Sequence, residues 1–348
     1  MIIALDAMGG DKAPGEQVRG ALLAKQALGL DVTLVGPPDL LRAELARHGS
    51  TPPGIEIAAA SEAIAMDEAP AQAVRQKKDA SVNIAMELVK QGRAQAVVSA
   101  GNTGAVMASA LLKLGRVPGI ERPAIGAMAP YSERGILVLD VGANADCKPS
   151  YLVQFAQMGS VYLSKVYGVQ APRVGLMNIG EEDTKGNELT QEVYARLRET
   201  DLNFIGNMEP DRIHHDVADV VVTDGFTGNV AVKVTEGVAD FIFRELRSTI
   251  MSRFTYRIGA FFLRSAFLQM RRRMDYGEYG GAPLLGVNGV VIITHGRADA
   301  QAIKNSLRLA GDAASSGMLD ALRELSPDRL PDDFVRPSAS SRSGGSTA

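Results

Sequence analysis

The sequence predicts an α/β protein on a mostly parallel, doubly wound sheet, and three observations lead there. Short apolar runs are closed by Gly- or Asn-rich loops and then give way to a helical period, which is the rhythm of βαβ units. Apolar residues make up 46% of the chain, aromatics only 5%, and Trp is absent, so the core is built from Ala, Val, Leu, Ile and Met. Thirty-six glycines, many of them just after apolar runs, mark where those runs stop. At 348 residues the length suits about two domains, although a doubly wound sheet of this size also forms one body. The expectation is one α/β domain over 1–325 and a flexible tail over 326–348, where Pro, Ser and Gly replace any apolar period.

The first predicted strand is Ile2 to Asp6, which ends in Ala7-Met8-Gly9-Gly10-Asp11-Lys12 before Pro14 opens a helix through Val18, Leu22 and Leu28. Val32 to Gly36 repeats the strand, Asp39 reads as the cap of a short helix holding Leu41 and Leu45, and Ile55 to Ala58 is a third strand. Between Ser61 and Lys78 the apolar signal fades while Arg75, Lys77 and Lys78 accumulate; Ser81 then reads as the cap of a helix with Ala85, Leu88 and Val89 on one side. Ala94 to Ser99 leads into Ala100-Gly101-Asn102-Thr103-Gly104 and a helix over Ala105 to Leu114. Ile136 to Asp140 runs into Val141-Gly142-Ala143-Asn144, and a long amphipathic helix follows with Leu152, Phe155, Tyr162 and Val166 inward. Arg173 to Met177 is a strand that stops at Asn178 and Gly180. An acidic loop holding one cation, Lys185, separates it from a helix over Glu188 to Thr200. Further strands are predicted near Asn203 to Gly206, at Val220 to Thr223 before the loop Asp224 to Asn229, and at Val290 to Thr294. The last is closed by His295-Gly296 before a helix through Ile303 and Leu307.

The net charge of −3 argues against a general nucleic-acid binder, because phosphate contacts need clustered cations. A lone cysteine, Cys147, forms no internal disulfide, and the chain opens on Met-Ile-Ile-Ala-Leu-Asp without a basic leader, so the expected compartment is the cytosol. One segment differs in kind. Residues 240–275 hold six of the ten phenylalanines, and from Arg244 to Arg273 eight arginines face a single acid, Glu245. Phe254, Ile258, Phe261, Phe262 and Leu268 supply its apolar side, while Arg253, Arg257, Arg264 and Arg271 fall on another face. This basic amphipathic pattern fits a helix lying in an anionic membrane interface. A helical hairpin at a dimer interface fits as well, and one segment can do both. No apolar run is long enough to span a bilayer.

Loops at the carboxyl ends of parallel strands are where ligands bind in such sheets, so the expectation is one anion-binding crevice lined by all of them. Any single Gly-Asn turn is more often a helix cap than a ligand site; the repetition is what carries the functional reading. No Walker motif and no G-x-G-x-x-G spacing supports a nucleotide, and no H-E-x-x-H or C-x-x-C spacing supports zinc. Glu181, Glu182 and Asp183 read as a solvent-facing loop, not a magnesium site, and His214-His215 as a solvated one. Cys147 lacks a neighbouring base in sequence and no G-x-S-x-G elbow is present, so no protein nucleophile and no cofactor are expected.

Taken together, Asp-Ala-Met-Gly-Gly-Asp at 6–11, Ser-Ala-Gly-Asn-Thr-Gly-Ala at 99–105, Asp-Val-Gly-Ala-Asn at 140–144, Asn-Ile-Gly-Glu-Glu with Lys185-Gly186-Asn187, Thr-Asp-Gly-Phe-Thr-Gly-Asn at 223–229 and Gly-Gly-Ala-Pro-Leu-Leu-Gly at 280–286 resemble the bacterial phosphate acyltransferases of phospholipid synthesis. The match covers roughly 1–325. The resemblance implies a three-layer α/β/α sandwich similar to phosphotransacetylases and isopropylmalate dehydrogenases, and a homodimer. It also implies transfer of a fatty acyl group from acyl carrier protein to inorganic phosphate, with the acyl phosphate passed to a membrane acyltransferase. The residues suited to that chemistry are Lys185 for charge, Asn229, Asp224 and His295 as further catalytic candidates, and Gly101, Asn102, Thr103, Gly104, Asn144 and Gly228 for phosphate or substrate. An acyl-CoA-using enzyme, a metal- and NAD-dependent dehydrogenase on the related fold and a non-catalytic membrane scaffold are the competing readings. The carrier is acidic in general, and both the arginine segment and Arg75 with Lys77 and Lys78 are candidate docking patches.

Overall fold

One mixed, mainly parallel sheet runs through the molecule. The structure, a computed structural model, describes residues 1–129, 135–215, 217–273 and 280–325. Its strands are β1 (Ile2–Asp6), β2 (Asp31–Gly36), β3 (Ile55–Ala59), β4 (Ala96–Ser99), β5 (Ala124–Ala129), β6 (Ile136–Leu139), β7 (Val174–Met177), β8 (Phe204–Met208), β9 (Val220–Val222), β10 (Ala282–Leu285) and β11 (Val290–Ile293). Their order across the sheet is β3-β2-β1-β4-β11-β10-β5-β6-β9-β7-β8. The helices are α1 (Gly15–Leu28), α2 (Pro38–Ala46), α3 (Pro70–Gln76), α4 (Ser81–Lys90), α5 (Thr103–Lys113), α6 (Pro149–Tyr167), α7 (Glu188–Arg198), α8 (Gly225–Ser252), α9 (Phe254–Phe262), α10 (Arg264–Arg273), α11 (Ala300–Ser315) and α12 (Met318–Arg323).

Successive strand side chains point to opposite faces, and the core divides accordingly. Ile3, Leu5, Val98, Leu137, Leu139 and Ile292 pack on one face with Val18 of α1, Phe155 of α6 and Ile303 of α11. Ala4, Val97 and Val291 pack on the other with Met86 of α4 and Val106 of α5. Val138 and Val221, also on that second face, pack with Ala231 of α8. Helices therefore cover both faces of the sheet. This is the three-layer α/β/α arrangement.

The expectation that every loop follows a parallel strand to the same edge does not hold. β10 pairs antiparallel with both β11 and β5, and β5 pairs antiparallel with β6. These three reversals turn β6, β9 and β7 against β1, β4 and β11, so the two strand sets deliver their loops to opposite edges. β11 and β7 are five places apart in the sheet, about 24 Å at about 4.8 Å per strand. α5 returns from the first edge and α8 from the second. At 28 residues α8 is about 42 Å long, so it outruns the sheet and carries α9 and α10 beyond it.

Local readings differ at several points. Asp39 is not a cap: α2 starts with Pro38 in its first turn, and Asp39 instead pairs with Arg42 at 3.2 Å. Ser81 is the first residue of α4, and its hydroxyl is turned to the Asp6 carboxylate. Pro70 opens α3 where the apolar signal fades, with Ala73 and Val74 as its buried residues. Gly225 to Asn229 are not a loop; they form the first turns of α8, capped by Asp224, which accepts from the Thr227 N–H at 2.8 Å. His214 and His215 end a 3₁₀ turn over Pro210–His215. The expected single amphipathic helix is broken at Arg253, in extended backbone, and at Leu263, so the apolar and arginine faces are not continuous. The tail lies outside the described residues.

Candidate active site

The first edge collects the loops after β1, β4 and β11. Asp6 ends β1 fully buried, and its carboxylate accepts from Ser99 Oγ at 2.7 Å and from the Met8 N–H at 3.3 Å. Ser99 Oγ in turn accepts from the Gly101 N–H at 3.1 Å, and Gln17 donates to the Gly9 carbonyl at 2.5 Å. Asn102 caps α5 by accepting from Ala105 N at 3.1 Å, while its amide donates to the Met66 carbonyl at 2.9 Å. Its hydrogen bonds hold loops together. Thr103, the first residue of α5, is exposed, and Gly104 lies against Pro70.

His295 stands after β11, and its Nδ1 accepts from the Arg297 N–H at 3.1 Å, so the neutral ring carries its proton on Nε2. Partial desolvation pushes the imidazole below its ordinary value. The charges of Lys233 and Arg297 push it further, against Glu236 and Asp11. Lys233 and Glu236, ion-paired at 2.8 Å on α8, thus reach the first edge although α8 starts at the second. Lys233→Met is expected to raise the His295 pKa toward its ordinary value, because it removes a cation and unmasks Glu236. An imidazole NMR titration with the same midpoint in both proteins would refute that neighbourhood.

The second edge collects the loops after β6, β9 and β7. Asp140 is fully buried and, among the described residues, accepts five hydrogen bonds: from the N–H groups of Ile125 (3.0 Å), Gly142 (3.2 Å), Ala143 (3.1 Å) and Asn144 (2.7 Å), and from the Asn144 amide (3.0 Å). The concavity expected at Gly142 to Asn144 is therefore filled by the chain's own carboxylate. Burial pushes that carboxyl above its ordinary value and the donors oppose it. Asn229 reaches from α8 to the Val141 carbonyl at 3.0 Å. Gly228 packs on the Asp140 carbonyl, where any Cβ would overlap it, and Gly225 lies close against Asn144. Both glycines let α8 start in contact with the β6 loop.

Lys185 belongs to the loop after β7. Its carbonyl accepts from the Asn178 amide at 3.1 Å, and its side chain is 49% exposed, packs along Gly180 and stands 3.9 Å from the Glu182 carboxylate. Asn187 caps α7 through the Thr190 N–H at 2.9 Å. The structure thus groups Lys185, Asp224, Gly228, Asn229 and Asn144 on three neighbouring strand ends, and places Gly101, Asn102, Thr103, Gly104 and His295 at the opposite edge with α8 between the groups. Asp6 and Asp140 stand in the sequence motifs without being among the candidate site residues. Their signal is a carboxylate closing an apolar strand, directly before a glycine loop.

Nucleophile chemistry is disfavoured in physical terms. Burial pushes the Cys147 thiol up to about 11, with Asp140 and Asp224 adding to the shift, so the thiolate is scarce near neutral pH. Ser99 is bonded to Asp6 but wholly buried. Glu181 pairs with Arg212 at 3.2 Å. Among the described residues no three His, Cys, Asp or Glu side chains converge as a metal site.

A family described as "fatty acid synthesis protein" matches residues 1–320. A phosphate acyltransferase of Heliobacterium modesticaldum is 52% identical over 331 residues, covering 95% of this chain and 99% of that protein. One of Geobacter sulfurreducens is 48% identical, covering 93% and 94%. Among solved structures, a phosphotransacetylase from Streptococcus pyogenes superposes with a TM-score of 0.61 at 18% identity, and the EutD phosphotransacetylase from Staphylococcus aureus with 0.59 at 15%. Each covers 90% of this chain and 94% of its own, and at that identity the likeness concerns the fold. Half-identity along nearly the whole of both chains settles the matter of kinship: this protein belongs to the phosphate acyltransferase family and is an acyltransferase of fatty acid and phospholipid synthesis.

Proposed function

We propose that the protein forms acyl phosphate from a fatty acyl thioester of acyl carrier protein and inorganic phosphate, by direct attack of phosphate. The observation that carries this reading is Lys185, a half-exposed and loosely paired ammonium on the loop after β7, at the edge where the thiol of Cys147 is a poor nucleophile. Phosphate needs no strong base, since its relevant pKa is about 6. A phosphate oxygen attacks the thioester carbon, the C–O bond forms, the C–S bond breaks, and the thiolate leaves with the electron pair. The remaining phosphate proton is available to that thiolate. Lys185 neutralises the phosphate and the developing oxyanion, with Asn229 and Asn144 shaping the site and Asp224 fixing the helix end. Gly101, Asn102, Thr103, Gly104 and His295 remain for contacts with the donor.

The test is hydroxylamine trapping of acyl phosphate from inorganic phosphate and either carrier-protein or CoA thioesters, with no metal added. Hydroxamate from the carrier thioester supports the assignment. Hydroxamate from CoA alone moves the donor, and none from either sinks the reaction.

The protein is further proposed to be a cytoplasmic homodimer that associates peripherally with anionic membranes and hands its product to a membrane acyltransferase. Phe254, Ile258, Phe261 and Phe262 of α9 are exposed at 70%, 47%, 72% and 76%, which favours that reading. Leu268 lies in α10, and its side chain is outside the described residues. Among the described residues no helix is long and apolar enough to cross a membrane. Of the two candidate patches for the carrier, Lys77 is already bonded to Glu68 at 2.6 Å, leaving Arg75 and Lys78 there. Phe261→Glu is expected to weaken flotation with anionic vesicles severalfold while acyl transfer in solution changes little. Unchanged flotation would remove α9 from the membrane contact.

A further inference from the structure

Helix α8 runs between the two groups of loops, and one side of it is polar. Asn229, Lys233, Glu236 and Asp240 fall within about 60° of one another at 3.6 residues per turn. Gly225 and Gly228, with the half-buried Val232 and Thr235, face the body of the protein, and the polar side borders that buried face. Val141 of the β6 loop fixes where the border lies. Together with Ala231 of α8 it packs on the cluster of Val138 and Val221, and it packs also on the cluster that holds Val97, Val106 and Ile293. The start of α8 and the end of β11 therefore meet across the β6 loop. Asn229 anchors the polar side on the Val141 carbonyl at 3.0 Å, and Lys233, one turn on, pairs with Glu236 at 2.8 Å. After partial desolvation, the charge of Lys233 is the strongest influence on the His295 imidazole, ahead of Arg297, Glu236 and Asp11. The ammonium thus stands nearer the ring than its carboxylate partner does, and the two cations outweigh the two acids there.

The loop that carries His295 is held on both sides. The Thr294 N–H donates to the Ser99 carbonyl at 2.9 Å, the Asp11 N–H to the Gly296 carbonyl at 2.8 Å, and the Arg297 N–H to His295 Nδ1 at 3.1 Å. One ring nitrogen is thereby committed. The other, Nε2–H, has no partner among the described residues. Lys233 is 54% exposed, and Glu236 occupies one of the three donors of its ammonium. A fixed neutral N–H beside a cation with donors to spare suits an anion with several acceptor oxygens. The reaction proposed above brings two phosphoryl groups of that kind: inorganic phosphate, and the phosphodiester in the pantetheine arm of the carrier thioester.

We infer that Lys233 is a further catalytic residue, which with the Nε2–H of His295 forms a subsite for phosphoryl oxygens between α8 and the β11 loop. This deepens the proposed reaction and rests on it for the ligand.

The test follows the His295 imidazole by NMR, with His295→Gln to assign its signal, while inorganic phosphate or pantetheine phosphate is added to the full-length protein. A saturable shift with inorganic phosphate assigns the subsite to the acceptor, and a shift with pantetheine phosphate alone assigns it to the donor arm. Lys233→Met is expected to weaken that binding about tenfold or more, the cost of one hydrogen bond from a charged donor. Lys233→Arg is expected to restore most of it. Glu236→Gln breaks the ion pair but keeps the cation, so binding there is expected to stay within about threefold, since an exposed pair of this kind holds little energy. A thermal melt controls for folding. In the hydroxylamine assay, Lys233→Met is expected to raise KM for the same substrate by about tenfold or more, with KM for the other little changed. A His295 signal that neither titrant moves overturns the subsite, and so does equal binding by wild type and Lys233→Met. An equal loss in Lys233→Met and Glu236→Gln overturns it too, because the ion pair would then matter only as structure. If no thioester yields acyl phosphate, the proposed reaction fails, and the subsite stands or falls on the titration alone.

Discussion

Lys185→Ala is expected to lower turnover by about two to three orders of magnitude while the fold persists, the cost typical of removing one donor aimed at a developing oxyanion. The side chain is half exposed, and its ion pair to Glu182 is long at 3.9 Å. A surface pair of that kind contributes little to stability. The neighbouring structure is held by other atoms: the Lys185 carbonyl on the Asn178 amide, Asn207 on the Glu182 carbonyl at 2.7 Å, and Asn187 as the cap of α7. Truncation at Cβ touches none of them. Lys185→Arg keeps the charge but spreads it over a planar fork, so partial activity is expected there. Steady-state kinetics and a thermal melt read the two effects separately. Near-native turnover in the alanine variant would remove Lys185 from the site, and a collapsed melt would show that the loop depends on the side chain after all.

The sheet's elements were legible in the sequence wherever a strand was buried on both faces. β1, β4, β6, β9 and β11 are unbroken apolar runs, closed by a polar residue and a glycine loop, and each was placed to within two residues. β5 was not legible: Ala-Ile-Gly-Ala-Met-Ala has one β-branched residue, and its Gly126 tucks under Leu137 and Leu139 without a side chain of its own. β10 read only as a motif, because Gly280, Gly281 and Pro283 mask its pairing. These two strands carry the reversals. Missing them is what turned two loop sets on opposite edges into one expected crevice, since a helical or strand period says nothing of a strand's direction. The residues of the candidate site were legible as types, while their commitments were not. Asn102, Asn144 and Asn229 are bonded to carbonyls of other loops, a long-range fact that no local pattern records.

Asp140→Ala carries the largest expected effect on stability. Among the described residues five N–H donors from two segments converge on one buried carboxylate: Ile125 at the start of β5, and the three consecutive backbone groups of Gly142 to Asn144 with the Asn144 amide. Alanine leaves all of them facing an apolar gap, and unpaired buried donors cost about 1 to 3 kcal/mol each before relaxation. Partial rescue by water brings the expected loss to about 3 to 5 kcal/mol, read as a lower urea midpoint. Asp140→Asn is expected to recover little of it, because one of its two positions becomes a donor among donors. The pH dependence supplies an independent check. Burial holds the Asp140 carboxyl above its ordinary value of about 3.9, so in the window above that value the folded chain still binds a proton that the unfolded chain has released. Stability then falls as pH rises through the window and levels off above the folded pKa. Asp6, buried at the other edge and raised for the same reason, adds a slope of the same sign, which Asp140→Ala leaves in place. Removing Asp140 should flatten the curve in part, and an unchanged slope in Asp140→Ala would mean that its carboxyl is ionised throughout. The same variant should also loosen the start of α8, since Gly225 and Gly228 pack directly on the loop that Asp140 organises. A drop in kcat at unchanged KM for phosphate, measured below the unfolding transition, would trace that loosening to the geometry around Asn229 and Lys185.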